Sequence, residues 1–313
     1  MNTKLIFSLL LGLLGFVSFG YSQTPEVTAE SYAPTKAENA LLWQIEGKDL
    51  QQPSWLFGTI HMIDKEDFFL TEAAKASIGE AGRVTFEINM EDMNDLSAQF
   101  GLMMNAFMKD GKTLKDLLSE TDYKLVNDHF QKIGLPMFML ERIKPMFLSV
   151  FASGDMDMSS LSSGSMVSYE MEIMKLAKED DKEIGGLETA EYQMSMFDSI
   201  PYQAQAEMLV ESIRAGDSGS DQFDQMVQLY KNQDLHGMSS MLSSDEEGIG
   251  EYEDLLLATR NKNWIPIMGE MMKTKPTFFA VGAGHLGGEM GVVAVLRKEG
   301  YKVTPINPST PKP

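Results

Sequence analysis

The chain has 313 residues, 43% hydrophobic and 23% charged, which suits a globular protein with a large core and excludes a disordered chain. A net charge of −20 argues against nucleic acid and anionic membrane surfaces as partners. The absence of cysteine removes disulfides, thiolate metal sites and cysteine nucleophiles together.

Met1 to Lys4 is a short basic start, and Leu5 to Phe19 is almost wholly apolar, at the length of a signal-peptide core. Gly20 and Ser22 supply small residues at the −3 and −1 positions. Residues 1–22 are therefore predicted to be removed after Ser22, giving an exported, periplasmic or extracellular protein. An uncleaved anchor is the alternative, but the run is short for a membrane span. With no cysteine after it, a lipoprotein anchor is excluded. No later stretch is apolar enough to predict stable membrane insertion.

Residues 23–39 read as a flexible lead-in, 40–305 as a single domain and 306–313 as a tail. Ala40 to Gly47 and Ser54 to Gly58 read as two strands of a hairpin, joined by a polar turn. A helix is predicted over Thr71 to Ala81 and a strand over Thr85 to Ile88. From about 91 to 177 the pattern predicts a large helical insertion, with apolar residues at three- and four-residue spacing in Leu96 to Met108, Tyr123 to Ile133 and Pro145 to Phe151. Its methionines, among them Met103, Met104, Met108, Met137, Met139, Met156 and Met158, read as adaptable core filling, with a groove for apolar peptides as the other reading. Met156 to Gly164 reads as a loop and Met166 to Glu179 as a helix. Glu183 to Glu188 reads as a strand, and Thr189 as the cap of the next helix. Breaks are expected at Asp217 to Gly219 and Ser243 to Gly250. A long helix is predicted over Tyr252 to Met272, a strand over Thr277 to Val281, a helix over Leu286 to Glu299 and a last strand at Tyr301 to Val303. The expected fold class is α/β (α+β), a central mixed β-sheet surrounded by helices.

There are four histidines. His129 sits within a helical pattern and His236 at a helix start, and both read as structural or surface residues. His61 and His285 each come three residues after a glycine that ends an apolar strand, in Phe57-Gly58-Thr59-Ile60-His61 and Val281-Gly282-Ala283-Gly284-His285. These two strand-GxxH units form a pseudo-repeat, read as one unit in each half of the sheet. The carboxyl end of a sheet strand is where α/β folds bind ligands. Two separate buried or capping histidines remain the structural reading. A catalytic metal needs a third ligand beside two imidazoles. Glu87 interrupts the apolar run from Val84 to Ile88, where a buried carboxylate needs a partner. It is the first candidate and Glu188 the second, although Glu87 could also face solvent. Arg260 could stabilise an oxyanion or orient a carboxylate, and Asn261 could hold a ligand or a water. Phosphate-loop, G-x-S-x-G and H-E-x-x-H motifs are all missing, which argues against the enzymes built on them.

The order Phe57-Gly58-Thr59-Ile60-His61, Phe86-Glu87, Gly186-Leu187-Glu188-Thr189 with Gln193, Arg260-Asn261, Val281-Gly282-Ala283-Gly284-His285-Leu286 and Gly300-Tyr301-Lys302-Val303 resembles the TraB/GumN family, whose animal members are the Tiki metalloproteases. The resemblance implies a metal-dependent hydrolase. His61, Glu87 and His285 would hold one divalent cation, manganese or cobalt before zinc, with Arg260 a further polar residue of the active site. It also implies the mixed sheet of erythromycin-esterase-like and ChaN-like proteins. Ser168-Tyr169-Glu170 departs from the family pattern, so no pocket role is expected there. The expectation is an exported metallohydrolase acting on peptides or proteins, with Glu87 as ligand or as general base. An inactive binding protein on the same scaffold and an ester hydrolase are the alternatives.

Overall fold

A computed structural model describes residues 31–89, 96–152, 164–215, 217–243, 252 and 254–307. The predicted leader, residues 23–30 of the lead-in, all but Ser243 of the break at Ser243 to Gly250, nearly all of the Met156 to Gly164 loop and most of the tail lie outside the described residues.

Eight strands are described: β1 (Leu42–Glu46), β2 (Ser54–Thr59), β3 (Met62–Asp64), β4 (Arg83–Ile88), β5 (Met166–Ser168), β6 (Glu183–Glu188), β7 (Thr277–Gly282) and β8 (Lys302–Pro305). Six of them form one mixed sheet in the order β6-β4-β7-β2-β1-β8. β1 is antiparallel to β2 and β8, whereas β2, β7, β4 and β6 run parallel. Of these parallel strands β6 is an edge, but β7 and β2 lie in the interior, so β2 is buried along its whole length and β7 along all but its last residue. This explains why both read as continuous apolar runs and not as alternating ones.

The helices are α1 (Glu72–Glu80), α2 (Leu96–Asn105), α3 (Leu114–Leu117), α4 (Glu120–Lys132), α5 (Met137–Leu140), α6 (Pro145–Ala152), α7 (Tyr169–Glu179), α8 (Ala190–Met196), α9 (Tyr202–Ala215), α10 (Asp217–Lys231), α11 (Leu235–Ser243), α12 (Thr259–Thr274) and α13 (Val292–Lys298). Thr71 and Thr189 cap α1 and α8 by accepting from the backbone N–H groups of Ala74 and Tyr192. One apolar cluster packs around the six-stranded sheet. A second joins Met108, Leu114, Val126, Phe130 and Leu148 of the insertion to Leu209 and Ile213 of α9. Met108 and Met137 fill that core as expected, but Met103, Met104 and Met139 are exposed.

Four boundaries differ from expectation. Met166–Ser168 is a strand, because it pairs antiparallel with β3 before Ser168 caps α7. Asp217 begins α10 where a break was expected. The helix expected from Tyr252 opens with a π-helical turn over Asp254–Ala258. The helix expected from Leu286 starts only at Val292, and the intervening segment contains Gly287, Gly288 and Gly291, with Gly288 at φ 77°.

Gly58 is required by close packing. A Cβ there would come within 2.7 Å of Leu286 Cδ1 and 3.0 Å of Ala283 Cα, which belong to the turn after β7. Gly58→Ala is expected to destabilise the protein by about 1–3 kcal/mol, read as a lower urea midpoint at an unchanged m-value.

Candidate active site

Sheet register brings the predicted residues together. Gly58 pairs with Val281 and Thr59 with Gly282, so the two GxxH turns leave the same ends of neighbouring parallel strands. The pseudo-repeat is therefore two adjacent central strands, β7 the innermost of one half of the sheet and β2 the innermost of the other. On the far side of β7, Phe86 pairs with Ala280, which brings Glu87 to the same end. β6 follows, with Ile88 paired to Glu188. Four adjacent strands thus deliver Glu188, Glu87, His285 and His61 to one edge of the sheet. The first turn of α12 adds Arg260 and Asn261. His61, Glu87, Arg260 and His285 line one cavity of about 730 Å³, and His129 and His236 do not.

The two histidines are held in the same manner. The Asn261 amide donates to the Met290 carbonyl at 2.9 Å, so its Oδ1 faces His285 Nδ1 at 2.6 Å. That contact requires the proton on Nδ1 and leaves the lone pair on Nε2. His61 Nδ1 lies 3.0 Å from Glu170 Oε1, and that carboxylate also accepts from Thr59 at 2.8 Å and Ser168 at 3.0 Å. Each imidazole is therefore tied at Nδ1 to an outer oxygen, which makes Nε2 the nitrogen a cation would take, in place of the Arg260 contact at His285 and of a proton at His61.

Glu87 is buried, so it does not face solvent from a half-exposed strand. One oxygen accepts from the Gly282 N–H at 2.7 Å. The other accepts from Gln193 at 3.0 Å and Arg260 Nη2 at 2.5 Å. Arg260 also reaches Glu188 at 2.7 Å and donates Nη1 to His285 Nε2 at 3.0 Å. Glu188, held by Trp264 at 2.9 Å, serves the arginine and does not face His61.

These contacts shift the titrations. Burial lowers the His285 pKa to about 4, so the ring is neutral at neutral pH. Burial acts to raise the Glu87 pKa, but the charges of His285, Arg260 and His61 and the Gly282 N–H outweigh it and hold the group at about 2. Because His285 is neutral near pH 7, Arg260, the protonated His61 and the Gly282 bond are what keep Glu87 ionised there. The Glu170 hydrogen bond raises the His61 pKa to about 9, although the His61 side chain is 71% exposed at the mouth of the cavity. The stability carried by this pair is complete below about pH 6.5 and lost as the pH rises through about 9. Glu170→Gln is expected to bring the His61 pKa back toward its ordinary value, followed by proton NMR of the ring in metal-free protein.

Two imidazole nitrogens and a carboxylate suit a divalent cation. His285 Nε2 and Glu87 Oε1 are 3.7 Å apart, within the roughly 4 Å that two donors on one ion can span. A Cβ on Gly282 would stand between the predicted ligands, 3.3 Å from Glu87 Oε1 and 3.9 Å from His61 Nε2, so the glycine keeps that space open. Even so, among the described residues no three His, Cys, Asp or Glu side chains close on one point. The Arg260 guanidinium sits between Glu87 and His285, and His61 lies at the rim. The donors fit a cation in kind, with Arg260 holding the positive charge at the centre.

Glu170 was not foreseen. As an acid in the first turn of a helix it resembles an ordinary complement to the helix dipole, and only the β3–β5 pairing carries it to His61. Tyr230, which donates to the Gly58 carbonyl at 2.9 Å, was also missed, because it comes from an amphipathic helix with no motif. Gln193, which stands in the family-like motif with no expected role, donates to Glu87. Asn261 was expected to hold a ligand or a water, and the group it orients is the His285 ring.

The TraB/PrgY/gumN family model matches residues 41–305. Metalloprotease TIKI2 of Danio rerio is 24% identical over 96% of this chain and 68% of its own length. Metalloprotease TIKI1 of Danio rerio is 24% identical over 86% of this chain and 64% of its own, and that of Homo sapiens 24% over 86% and 63%. The chain thus spans roughly two thirds of these relatives. No solved structure is a significant match.

Proposed function

The chain belongs to the TraB/PrgY/gumN family, and from that premise we propose that it is an exported, metal-dependent hydrolase of peptide bonds. One observation carries the reading: two histidines, each tied at Nδ1 to an outer oxygen, share one cavity with an ionised buried Glu87, whose Oε1 lies 3.7 Å from His285 Nε2. The relatives named metalloproteases give the peptide as substrate class. The basic start and apolar run of residues 1–19 support export, and among the described residues no helix is long and apolar enough to cross a membrane.

His61, Glu87 and His285 would hold the cation, manganese or cobalt before zinc. When bound, a divalent cation polarises a carbonyl and acidifies water. The other tasks fall to the chain. Asn261 and Glu170 orient the two rings. With its pKa near 2, Glu87 is a weak proton acceptor, which favours the ligand role over that of general base. Arg260 commits its N–H groups to Glu87, Glu188, His285 and the Leu256 carbonyl, so it would stabilise an oxyanion through its charge.

The experiment is metal analysis after loading with manganese or cobalt. Stoichiometric metal is expected in the wild-type protein, with a large loss in His61→Ala and His285→Ala. Equal, negligible metal in all three would overturn the proposal. The guanidinium at the centre favours a second reading, a binding scaffold without turnover. That reading predicts no cleavage of any peptide by metal-treated protein.

A further inference from the structure

The polar groups of the cavity stand at one end of it, and the other walls are apolar. Met194 comes from α8, Met226 from α10, Met238 from α11, and Leu256 and Leu257 from the π-helical turn. The remaining polar side chains among the described lining residues already have partners. Thr59 bonds Glu170, Gln193 bonds Glu87, and Tyr230 bonds the Gly58 carbonyl. The charge of Arg260 is met by Glu87 and Glu188. A charged substrate side chain against these apolar walls, away from His61, would lose its water and gain no partner, at a large cost. A bulky apolar side chain would instead be desolvated against methionine and leucine, which adapt to its shape.

The size agrees. At about 730 Å³ the cavity lies within the range of ligand-binding sites and exceeds the needs of one small side chain.

We propose that this cavity selects peptide substrates with bulky apolar side chains, of the leucine, methionine and phenylalanine class, next to the scissile bond. The inference rests on the peptidase reading for its substrate but on the cavity for its selectivity, and the two are tested by different readouts. The first readout is calorimetric binding, to metal-free protein, of capped hexapeptides that differ only in the central pair: Leu-Phe, Ala-Ala or Asp-Lys. The second is cleavage of the same peptides by manganese-loaded protein.

The Leu-Phe peptide is expected to bind about 100-fold more tightly than the Asp-Lys peptide, with Ala-Ala between them. Met226→Asp is expected to shrink that preference to within about threefold, because it places a carboxylate on the apolar wall. Should Met226→Asp fail to fold, Met226→Phe narrows the space without adding charge and is expected to shift preference from Leu-Phe toward Ala-Ala. Equal binding of all three peptides to the wild-type protein, or a preference untouched by a folded Met226→Asp or Met226→Phe, would overturn the inference. A clear binding preference without turnover of any peptide would support the cavity's selectivity and overturn the peptidase reading.

Discussion

Glu87→Gln is expected to lower peptide turnover by about a thousandfold or more while the protein stays folded. Glutamine keeps the shape of the side chain, and its amide oxygen can still accept from the Gly282 N–H, which now lies 2.7 Å from Glu87 Oε1. What disappears is the negative charge that faces Arg260 and His285. A thousandfold loss corresponds to about 4 kcal/mol of transition-state stabilisation, within the several kcal/mol that a cation and its ligands supply. Metal content should fall with activity, and far-ultraviolet circular dichroism should not change. Turnover that survives the substitution would show that Glu87 neither holds the cation nor acts as a base.

Replacing Arg260 by methionine is expected to produce the largest loss of stability. The side chain is only 8% exposed and pairs with two buried carboxylates, Glu87 at 2.5 Å and Glu188 at 2.7 Å. Removing one partner from a buried ionic group leaves unpaired charge in a poor solvent, a penalty of about 3–5 kcal/mol. The pH dependence gives a second readout. Glu87, with its folded pKa lowered from 4.5 to about 2, contributes stability above about pH 4.5 that disappears as the pH falls through about 2. Without Arg260 its pKa rises, so acid unfolding of the variant should begin at a higher pH. The same variant tests the cation site. A divalent ion can replace the lost positive charge, and at a hundredfold excess over its Kd it should return about 2.7 kcal/mol of stability. Urea unfolding with and without manganese would measure this, and a variant as stable as the wild type in the absence of metal would show that the guanidinium is not the countercharge at the centre.

Much of the fold could be read from the chain because its signals are local. The hairpin follows from two apolar runs around a polar turn, α1 from Thr71 and the periodic pattern behind it, and β7 from an apolar run stopped at Gly282. Boundaries failed where a distant partner decided them. Met166–Ser168 fits a helical pattern, yet β3 offers it backbone hydrogen bonds, and it becomes a strand. The short helix after His285 follows a glycine-containing segment whose packing brings Leu286 and Ala283 against Gly58.

For the site, the residues by themselves determined its principal members. Two glycine-spaced histidines, a carboxylate inside an apolar strand and the Arg260-Asn261 pair all carry recognisable local patterns, and all lie together at one end of the sheet. What joins each to the others was decided by the tertiary structure alone. The in-register pairing of β2 with β7 placed the two GxxH turns side by side. Strand β5 carried Glu170 to His61, and α12 set Arg260 between Glu87 and His285. The reason is physical. A turn or a strand is specified by neighbours along the chain, whereas hydrogen-bond partners and the pKa of a buried carboxylate depend on which groups packing brings within a few ångströms.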